Sequence, residues 1–290
     1  MMYAITGITG HVGSALANAL LGKNQQVRAV LRNSAKAADW QARGTEIAIA
    51  ELHDSPALEK AFNNADGVFV MTPPLFDATD PMAEHDQMLM ALSTAIEQAK
   101  PEKVVYLSSI GAHLPAGTGA IKKLYDMEQV FQKLSVPTVG IRAGWFMENF
   151  TGSIAHAEQS GQLHSFLNPL DKFIPMIATK DIGNLAAELL QQSWAGHRVV
   201  ELEGPSRYSA NDVANILRDQ LKRNITAQVI PAHDHQQVYQ SFGASPAAAA
   251  MMAEMIAGFN NNHIVFEAND CEQATGITSL EDVLSEYIYA

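Results

Sequence analysis

The chain has 290 residues but only one cysteine, Cys271, and only 19 lysines and arginines against 31 acidic residues. A single cysteine excludes an intramolecular disulfide and is typical of a reducing compartment. The net charge of −12 repels nucleic-acid phosphates, so we expect no direct nucleic-acid partner.

Long apolar runs and several common functional motifs are also missing. No apolar run approaches the roughly 18 residues of a membrane helix, and the N-terminal strand is too short for a secretory signal. We therefore expect no membrane association and a cytoplasmic location. No G-x-S-x-G elbow occurs, which argues against a serine hydrolase of that type. The histidines join no cysteine or carboxylate cluster at metal-ligand spacing, so we expect no metal site.

Three glycines at three-residue spacing, Gly7, Gly10 and Gly13, separate a short apolar strand from an Ala/Leu-rich helix. Strand, glycine turn and helix in this order are typical of the first unit of a dinucleotide-binding fold. Gly7 permits the tight turn, Gly10 permits close approach of a pyrophosphate, and Gly13 permits close packing of helix on strand. The free N–H groups at the helix N-terminus favour phosphate binding.

Arg32 stands at the end of the next apolar strand, 19 residues after Gly13, and no acidic residue occurs between 24 and 38. NAD-preferring folds carry an acidic residue near this point, which binds the ribose 2′-hydroxyl. A guanidinium instead suits a 2′-phosphate, which it binds with two parallel hydrogen bonds. The alternative is a solvated residue at a strand end. With the glycine motif upstream, we predict that NADP(H) is preferred over NAD(H).

The hydrophobic share of 47% is enough for a sizeable core, and its arrangement indicates the fold class. Up to residue 145, continuously apolar strand segments alternate with helix patterns. This predicts an α/β fold, a Rossmann-type doubly wound parallel sheet covered on both faces. We interpret residues 1–145 as the NADP(H)-binding domain. Residues 146–290 then form a smaller, mixed α/β substrate-side lobe that partly returns to the sheet.

Helix patterns in the second half cover residues 182–192, 246–258 and 279–288. Ser209 is predicted to be the N-cap of a further helix, because a serine hydroxyl can accept a hydrogen bond from the first turn. By the same argument Asp181 is predicted to cap the helix that begins at Ile182.

Four segments of the chain resemble the NmrA-like members of the atypical short-chain dehydrogenase/reductase superfamily. They are Thr6–Gly13, Arg32, Val105–Ala112 and Val136–Asn149. The last one ends in a stretch close to the family pattern R-P-x-x-F-x-E-N, and the chain is also similar to the NADPH-dependent quinone oxidoreductase branch. The resemblance implies that NADP(H) binds across the carboxyl ends of the strands. Quinone reduction, azo reduction and redox sensing occur in the family.

The resemblance implies cofactor contacts at the phosphate loop, the 2′-phosphate, the adenine and the ends of strands four to six. The residues at those positions are Gly7, Thr9, Gly10, His11, Val12, Arg32, Asp54, Thr72, Pro73, Ser108 and Gly144. For Asp54 an alternative is the N-cap of the helix that begins around Pro56.

The acceptor pocket and the catalytic groups are expected around the ends of strands four to six. Pocket candidates are Phe76, Trp145, Phe146, Asn149 and Phe150, with ordinary core packing as the alternative for any single aromatic residue. Catalytic candidates are Ser109, His113 and Lys123.

The chain departs from the superfamily at the Tyr-x-x-x-Lys pair. If Glu128 is the glutamate that usually follows this pair, Leu124 occupies the lysine position and Ala120 the tyrosine position. Lys122 and Lys123 are each turned by about 100° or more from Leu124 around the helix. We interpret these two lysines as a solvated helix face.

Absence of that pair disfavours ketone reduction and epimerisation, which need a positioned acid or base. Reduction of a quinone-like acceptor by direct hydride transfer needs mainly orientation and water exclusion, and is the favoured function. A non-catalytic NADP(H) sensor acting through a protein partner is the alternative. The sequence names neither the small-molecule acceptor nor the oligomeric state, and a homodimer stays open.

Overall fold

The structure, a computed structural model, describes residues 1–268 and 271–289. Residues 269, 270 and 290 of the expected second lobe lie outside the described residues. The strands are β1 (Met2–Ile5), β2 (Gln26–Leu31), β3 (Glu46–Ile49), β4 (Gly67–Val70), β5 (Val104–Ser109), β6 (Thr138–Ala143), β7 (Trp145–Phe146), β8 (Gln162–Ser165), β9 (Ile174–Ile177), β10 (His197–Glu203), β11 (Arg207–Tyr208), β12 (Thr226–Val229) and β13 (Glu272–Thr275).

The helices alternate with these strands and then fill the second half. They are α1 (His11–Gly22), α2 (Ala37–Ala42), α3 (Ser55–Phe62), α4 (Pro81–Ala99), α5 (Lys122–Phe131), α6 (Ile154–Ser160), α7 (Thr179–Leu190), α8 (Ala210–Leu221), α9 (His235–Ser241), α10 (Pro246–Asn260) and α11 (Leu280–Ile288). Short 3₁₀ turns cover Ser34–Lys36, Gly119–Ile121, Met147–Ser153 and Ala232–Asp234.

Within the described residues, eight strands form one sheet in the order β3-β2-β1-β4-β5-β6-β10-β13. Every neighbouring pair in it is parallel. The predicted doubly wound parallel sheet is therefore confirmed. The strands β10 and β13 come from the second half of the chain, which returns to the sheet and extends it beyond β6.

Helices cover both faces of this sheet, which explains why its central strands are continuously apolar. One face packs against α1 and α7, and the other packs against α3, α4 and α5. A Cβ at Gly183 of α7 would lie 2.6 Å from the backbone nitrogen of Leu16 in α1. Only glycine allows these two helices to approach so closely.

The second lobe continues from the carboxyl end of β6, since β7 follows that strand after one residue. Its strands form two small sheets, β11-β9-β7 and β8-β12. A separate hydrophobic cluster joins them to α6, α8, α10 and α11. This arrangement places the lobe beside the carboxyl ends of β5 and β6, where a doubly wound fold binds its ligands.

Two predicted helix caps have different outcomes. Ser209 accepts a hydrogen bond from the Asp212 backbone nitrogen at 3.2 Å, and the Asp212 side chain bonds back, which confirms this cap. The Asp181 cap is wrong, because α7 begins at Thr179. The Asp181 carboxylate instead accepts hydrogen bonds from the backbone nitrogens of Ile277 and Thr278, at 2.9 and 2.8 Å. It thereby anchors the C-terminal segment to the start of α7.

Within residues 1–268 and 271–289, no helix combines the length and apolar character needed to cross a membrane.

Candidate active site

The glycine loop between β1 and α1 has the conformation that the spacing predicts. Gly7 has φ +64°, and a Cβ there would lie 2.5 Å from Met71 Cε. A Cβ at Gly13 would lie 2.3 Å from the Gly7 carbonyl oxygen. Gly10 donates its N–H to that same oxygen at 3.0 Å and has extended backbone. Inside the protein a Cβ at Gly10 would meet nothing closer than 3.5 Å, so packing does not require glycine there.

The N-terminus of α1 leaves backbone donors free at this loop. Gly10 is the N-cap, no side chain caps the helix, and the first intrahelical bond runs from the Ser14 nitrogen to the Gly10 oxygen. The N–H groups of His11, Val12 and Gly13 precede that bond and are available to an anion. Val12 is buried, whereas the side chains of Thr9 and His11 are exposed.

Arg32 and Asp54 lie at the ends of two neighbouring strands. Arg32 is exposed directly after β2, and no carboxylate among the described residues pairs with it. Asp54 follows β3 and accepts a hydrogen bond from the Ala57 backbone nitrogen at 3.0 Å, so it does cap α3. The cap uses one carboxylate oxygen, and the residue is exposed.

The loop after β4 lies beside the glycine loop. The Thr6 hydroxyl accepts a hydrogen bond from the Met71 backbone nitrogen at 3.0 Å, which joins the ends of β1 and β4. Thr72 is partly exposed and Pro73 is exposed. Gly144, after β6, has a different reason to be glycine, because a Cβ there would lie 2.8 Å from the Pro175 carbonyl oxygen. The close approach of β9 explains why residue 144 is a glycine.

An ionic network around the buried Arg142, Glu128 and Glu201 lies on the α5 face of the sheet and extends to the exposed Glu267. Arg142 binds Glu128 through two nitrogens at 2.7 and 3.0 Å and binds Glu267 at 2.5 Å. The Ser108 hydroxyl donates to Glu128 at 2.5 Å, and Glu201 lies 3.7 Å from Arg142. The hydrogen bond from Arg142 lowers the pKa of Glu267. The Ser108 hydroxyl is buried in this network, where its hydrogen bond links β5 to α5.

Two of the catalytic candidates lie at the end of β5. The Ser109 hydroxyl is partly exposed and donates to the Ile110 carbonyl oxygen at 3.1 Å. The His113 ring lies beside the Arg142 network, and its Nδ1 is buried without a partner among the described residues. Burial and the positive charge of Arg142 lower the pKa of His113, against the opposing negative charges of Glu267, Glu201 and Glu128.

The third candidate, Lys123, lies in the wall of a narrow cleft. Its side chain is only 5% exposed, and its ammonium donates to the Pro74 carbonyl oxygen at 2.9 Å. Burial lowers the pKa of Lys123 to about 8, against an opposing effect of Glu84. The loop after β4 and the helices α4, α5 and α10 form the cleft, whose lining residues are Pro74, Phe76, Pro81, Ala120, Lys123, Ala248, Met251 and Met252.

The prediction that both lysines lie on a solvated helix face is therefore wrong for Lys123, which is buried. Lys122 is partly exposed. Lys122 lies on the outer side of α5 and pairs with Asp126 at 2.5 Å, one turn along the helix. One residue further, the 100° helical step turns Lys123 inward, against α4 and the loop after β4. Ala120 lines the same cleft, so the position expected for a tyrosine carries only a methyl group.

Helix α10 forms the roof of this cleft because glycine permits its close approach. Gly119, just before α5, has φ +52°, and a Cβ there would lie 1.9 Å from the Met251 carbonyl oxygen. At the N-terminal end, the Ser245 backbone nitrogen donates to the Phe76 carbonyl oxygen at 2.8 Å, and the Ser245 hydroxyl caps the helix. The Ala248, Met251 and Met252 side chains therefore face Lys123 across a narrow gap.

The structure separates the predicted aromatic residues into different surroundings. Phe76 and Trp145 both pack against the α9 and α10 cluster that borders the cleft. Phe146 packs against the core of the large sheet, and Phe150 is buried in the core of the second lobe. Asn149 is exposed. Ordinary packing accounts for Phe146 and Phe150, whereas Phe76 lines the cleft itself.

Comparison with known proteins identifies the family. The model of the NmrA-like family matches residues 2–288. The chain belongs to the NmrA-like family.

Two of the named relatives of this NmrA-like chain are oxidoreductases. It is 26% identical over 257 residues to an NAD(P)H azoreductase from Xenophilus azovorans, covering 88% of this chain and 86% of the relative. It is 23% identical over 277 residues to quinone oxidoreductase 2 from Escherichia coli, covering 95% and 94%. The structure of the Escherichia coli NADPH-dependent quinone oxidoreductase in complex with NADPH has a TM-score of 0.83 at 21% identity. That match covers 99% of this chain and 100% of the other.

Some residues at the site of this NmrA-like chain have no local sequence signal. Met251 and Met252 line the cleft from more than 120 positions beyond Lys123. His85 of α4 is completely buried. Burial and the positive charge of Lys123 lower the pKa of His85 to about 4. The helix pattern over 246–258 predicted α10 itself, but only the tertiary fold shows that this helix covers Lys123.

Proposed function

We propose that this protein is an NAD(P)H-dependent oxidoreductase that prefers NADPH and reduces a quinone-like or other conjugated acceptor. The observation that carries the proposal is the Lys123 ammonium, buried in an apolar cleft beside the loop after β4. Relatives named azoreductase and quinone oxidoreductase, each matched over most of its length, support the same class of reaction. Azo groups and quinones are both conjugated systems that accept a hydride.

The residues around the glycine loop fit a dinucleotide. Nothing inside the protein needs glycine at Gly10, whereas a ligand lying against the backbone does. The N–H groups of His11 and Val12 would bind the pyrophosphate, with Gly7 and Thr9 shaping the loop. Arg32 is exposed and lacks a carboxylate partner among the described residues, as a 2′-phosphate contact requires.

The remaining cofactor contacts follow from the strand order. Asp54 follows β3, and its second carboxylate oxygen is available for the adenine amino group. Thr72 and Pro73 follow β4, which lies next to β1, and would contact the adenine-side ribose. Gly144, after β6, would contribute backbone near the nicotinamide. We assign Ser108 to the protein's internal network, as its hydrogen bond to Glu128 indicates.

The bound cofactor would supply a hydride from its reduced nicotinamide. The cleft has a cavity volume of only about 10 Å³, so an acceptor would enter between Phe76 and the α10 methionines by displacing these side chains, which would then exclude water and orient a flat conjugated ring. Hydride addition to a quinone ring leaves a negative charge on a quinone oxygen. The Lys123 ammonium would stabilise this oxygen and donate the proton that completes the quinol, so hydride and proton together reduce the quinone by two electrons.

No Tyr-x-x-x-Lys pair is needed in this scheme, because conjugation stabilises the oxyanion before the proton arrives. Ala120 occupies the expected tyrosine position and contributes only a methyl group to the wall of the cleft. Trp145 would border the pocket from the β6 side, and Asn149 lies exposed further along the same segment. Ser109 and His113 lie near the end of β5 and are secondary candidates, since neither is among the residues that line the cleft.

Purified protein mixed with NADPH and a panel of quinones and azo dyes tests the proposal through the loss of NADPH absorbance. We expect acceptor-dependent oxidation that is much faster with NADPH than with NADH. Binding of NADPH without turnover of any acceptor would contradict the reductase and favour a redox sensor that acts through a protein partner. Absence of dinucleotide binding would contradict both functions.

A further inference from the structure

The C-terminal helix reaches back to the glycine loop at the other end of the sequence. The Tyr287 hydroxyl of α11 lies 3.2 Å from His11 Nδ1, within hydrogen-bond distance. The two rings are 6.2 Å apart between centroids and meet at 64°, edge to face. These residues are 276 positions apart, so the contact joins the first helix of the chain to the last.

The exposed side-chain donors on this loop are the Thr9 hydroxyl and the His11 ring. His11 is the first residue of α1, and no lysine or arginine occurs before Lys23. The two phosphates of a dinucleotide carry negative charge, and backbone N–H groups satisfy only part of their hydrogen-bonding capacity. A phenol placed at the loop would supply one more donor from outside the loop itself.

Tyr287 is carried by a firmly anchored element. The Ser279 hydroxyl accepts from the Asp282 backbone nitrogen at 3.1 Å in a capping box at the start of α11. Leu280 and Leu284 are buried in the core of the second lobe. Asp181 holds the segment just before the helix. The position of Tyr287 at the loop is therefore part of the fold, and the phenol loses little entropy on binding a ligand.

The surroundings of Tyr287 keep its phenol protonated. Burial raises the pKa of Tyr287, and the negative charges of Glu148 and Glu286 raise it further. Glu148 is itself engaged, because one of its oxygens accepts hydrogen bonds from the Thr179 nitrogen and hydroxyl at 2.8 and 2.5 Å. A neutral phenol beside a phosphate acts as a hydrogen-bond donor and adds no repulsive charge.

We propose that Tyr287 is a cofactor-binding residue that donates its phenol hydrogen to the pyrophosphate of the dinucleotide. His11 is its positioning partner: with a proton on Nδ1, the ring donates to the phenol oxygen and leaves the phenol hydrogen free for phosphate. The inference rests on the proposed dinucleotide binding at the glycine loop. It extends the cofactor site to the C-terminal helix and makes that helix part of the pyrophosphate contact.

The test compares dissociation constants for NADPH, NADH and 2′-AMP in the wild type, Tyr287→Phe and Tyr289→Phe. Tyr289 is a matched control, because it lies two residues away, is 72% exposed and donates to the Gln220 carbonyl oxygen at 3.1 Å. We expect Tyr287→Phe to weaken NADPH and NADH by the same factor, about three- to tenfold, since both contain the pyrophosphate. Binding of 2′-AMP, which lacks a pyrophosphate, should be unchanged, as should all constants of Tyr289→Phe.

A double variant distinguishes a positioning role of His11 from a general disruption of the glycine loop. If His11 acts through the phenol, His11→Ala combined with Tyr287→Phe should weaken NADPH binding by less than the product of the two single effects. An unchanged or tighter NADPH constant in Tyr287→Phe overturns the inference, as does equal weakening of 2′-AMP. A wild type that binds neither dinucleotide overturns the proposed function as well, which distinguishes the two failures.

Discussion

Lys123 Nζ donates a 2.9 Å hydrogen bond to the carbonyl oxygen of Pro74, which ties the helix after β5 to the loop after β4. The bond aims a buried cation at the gap beneath α10. It also accounts for only one of the three ammonium hydrogens, so donors remain for an acceptor oxygen. A single residue in this cleft therefore combines a buried charge, unused hydrogen-bond donors and contact with the loop after β4.

The first prediction concerns the pH dependence of turnover. Because burial lowers the pKa of Lys123 to about 8, we expect kcat for quinone reduction to fall as pH rises through about 8. Lys123→Met should lower kcat at pH 7 by about tenfold to a hundredfold and remove that fall. Steady-state rates between pH 6 and about pH 10 check both effects.

Lys122→Met is the matched control for that experiment. Lys122 lies on the same helix but pairs with Asp126 outside the cleft, so its removal should leave kcat and the pH profile unchanged. A wild-type profile that is flat through pH 8, or equal losses in the two variants, would contradict the role of Lys123.

Burial of the charged Lys123 side chain should also lower the free energy of unfolding. The folded-state pKa of about 8 lies below the usual lysine pKa of 10.5, so the folded protein binds the proton less tightly than the unfolded chain. Below pH 8 the full cost of burying the charge is present, and it declines as pH rises towards 10.5. After allowing for the lost bond to Pro74, Lys123→Met should be more stable than wild type by about 1–2 kcal/mol at pH 7.

Urea unfolding at pH 7 and at pH 9.5 measures this difference directly. The advantage of Lys123→Met should shrink at the higher pH, where the wild-type lysine is already neutral in the folded state. A variant that is less stable than wild type at pH 7 would show that the ammonium stabilises the cleft.

Arg32 should govern the choice between the two dinucleotides. Arg32→Ala removes the charge proposed to bind the 2′-phosphate, so the NADPH dissociation constant should rise about tenfold to a hundredfold. The NADH constant should change less than about twofold, because no comparable hydrogen bond is lost. Arg43→Ala is a suitable control, since the Arg43 guanidinium stacks on Trp40 at 4.6 Å. Equal losses for both dinucleotides would contradict the assignment.

The close contact between α10 and the turn before α5 should require glycine at position 119. A Cβ there would lie 1.9 Å from the Met251 carbonyl oxygen, so Gly119→Ala must displace α10 or the turn before α5. We expect a loss of unfolding free energy of about 2–4 kcal/mol and a raised KM for the acceptor. Gly196 also has positive φ but nothing within 4 Å, so Gly196→Ala should cost only about 1 kcal/mol. Similar costs for the two substitutions would contradict the tight contact with α10.

The sequence predicts those structural features that depend on residues close together in the chain. The Gly7-to-Gly13 spacing determines a local turn, and the structure has the expected strand, loop and helix around it. Apolar strands alternating with helices predicted the parallel sheet, because burial on both faces leaves a continuous pattern. Ser209 was predictable for the same reason, since a capping box spans only four residues.

Features that depend on distant contacts could not be predicted. Lys123 follows Lys122 directly in the sequence, and only the positions of α4, α10 and the loop after β4 bury Lys123 while Lys122 stays partly exposed. Asp181 has the sequence context of a helix cap, yet its partners are nearly 100 residues away at Ile277 and Thr278. No local pattern links Tyr287 to His11.

The most direct test of the account is an anaerobic single turnover with enzyme, NADPH and a quinone in equal amounts, followed by quantitation of the quinol. We expect one quinol formed per NADPH oxidised in the wild type, and a much slower reaction in Lys123→Met. NADPH that stays bound and reduced in the presence of every quinone tested would contradict it.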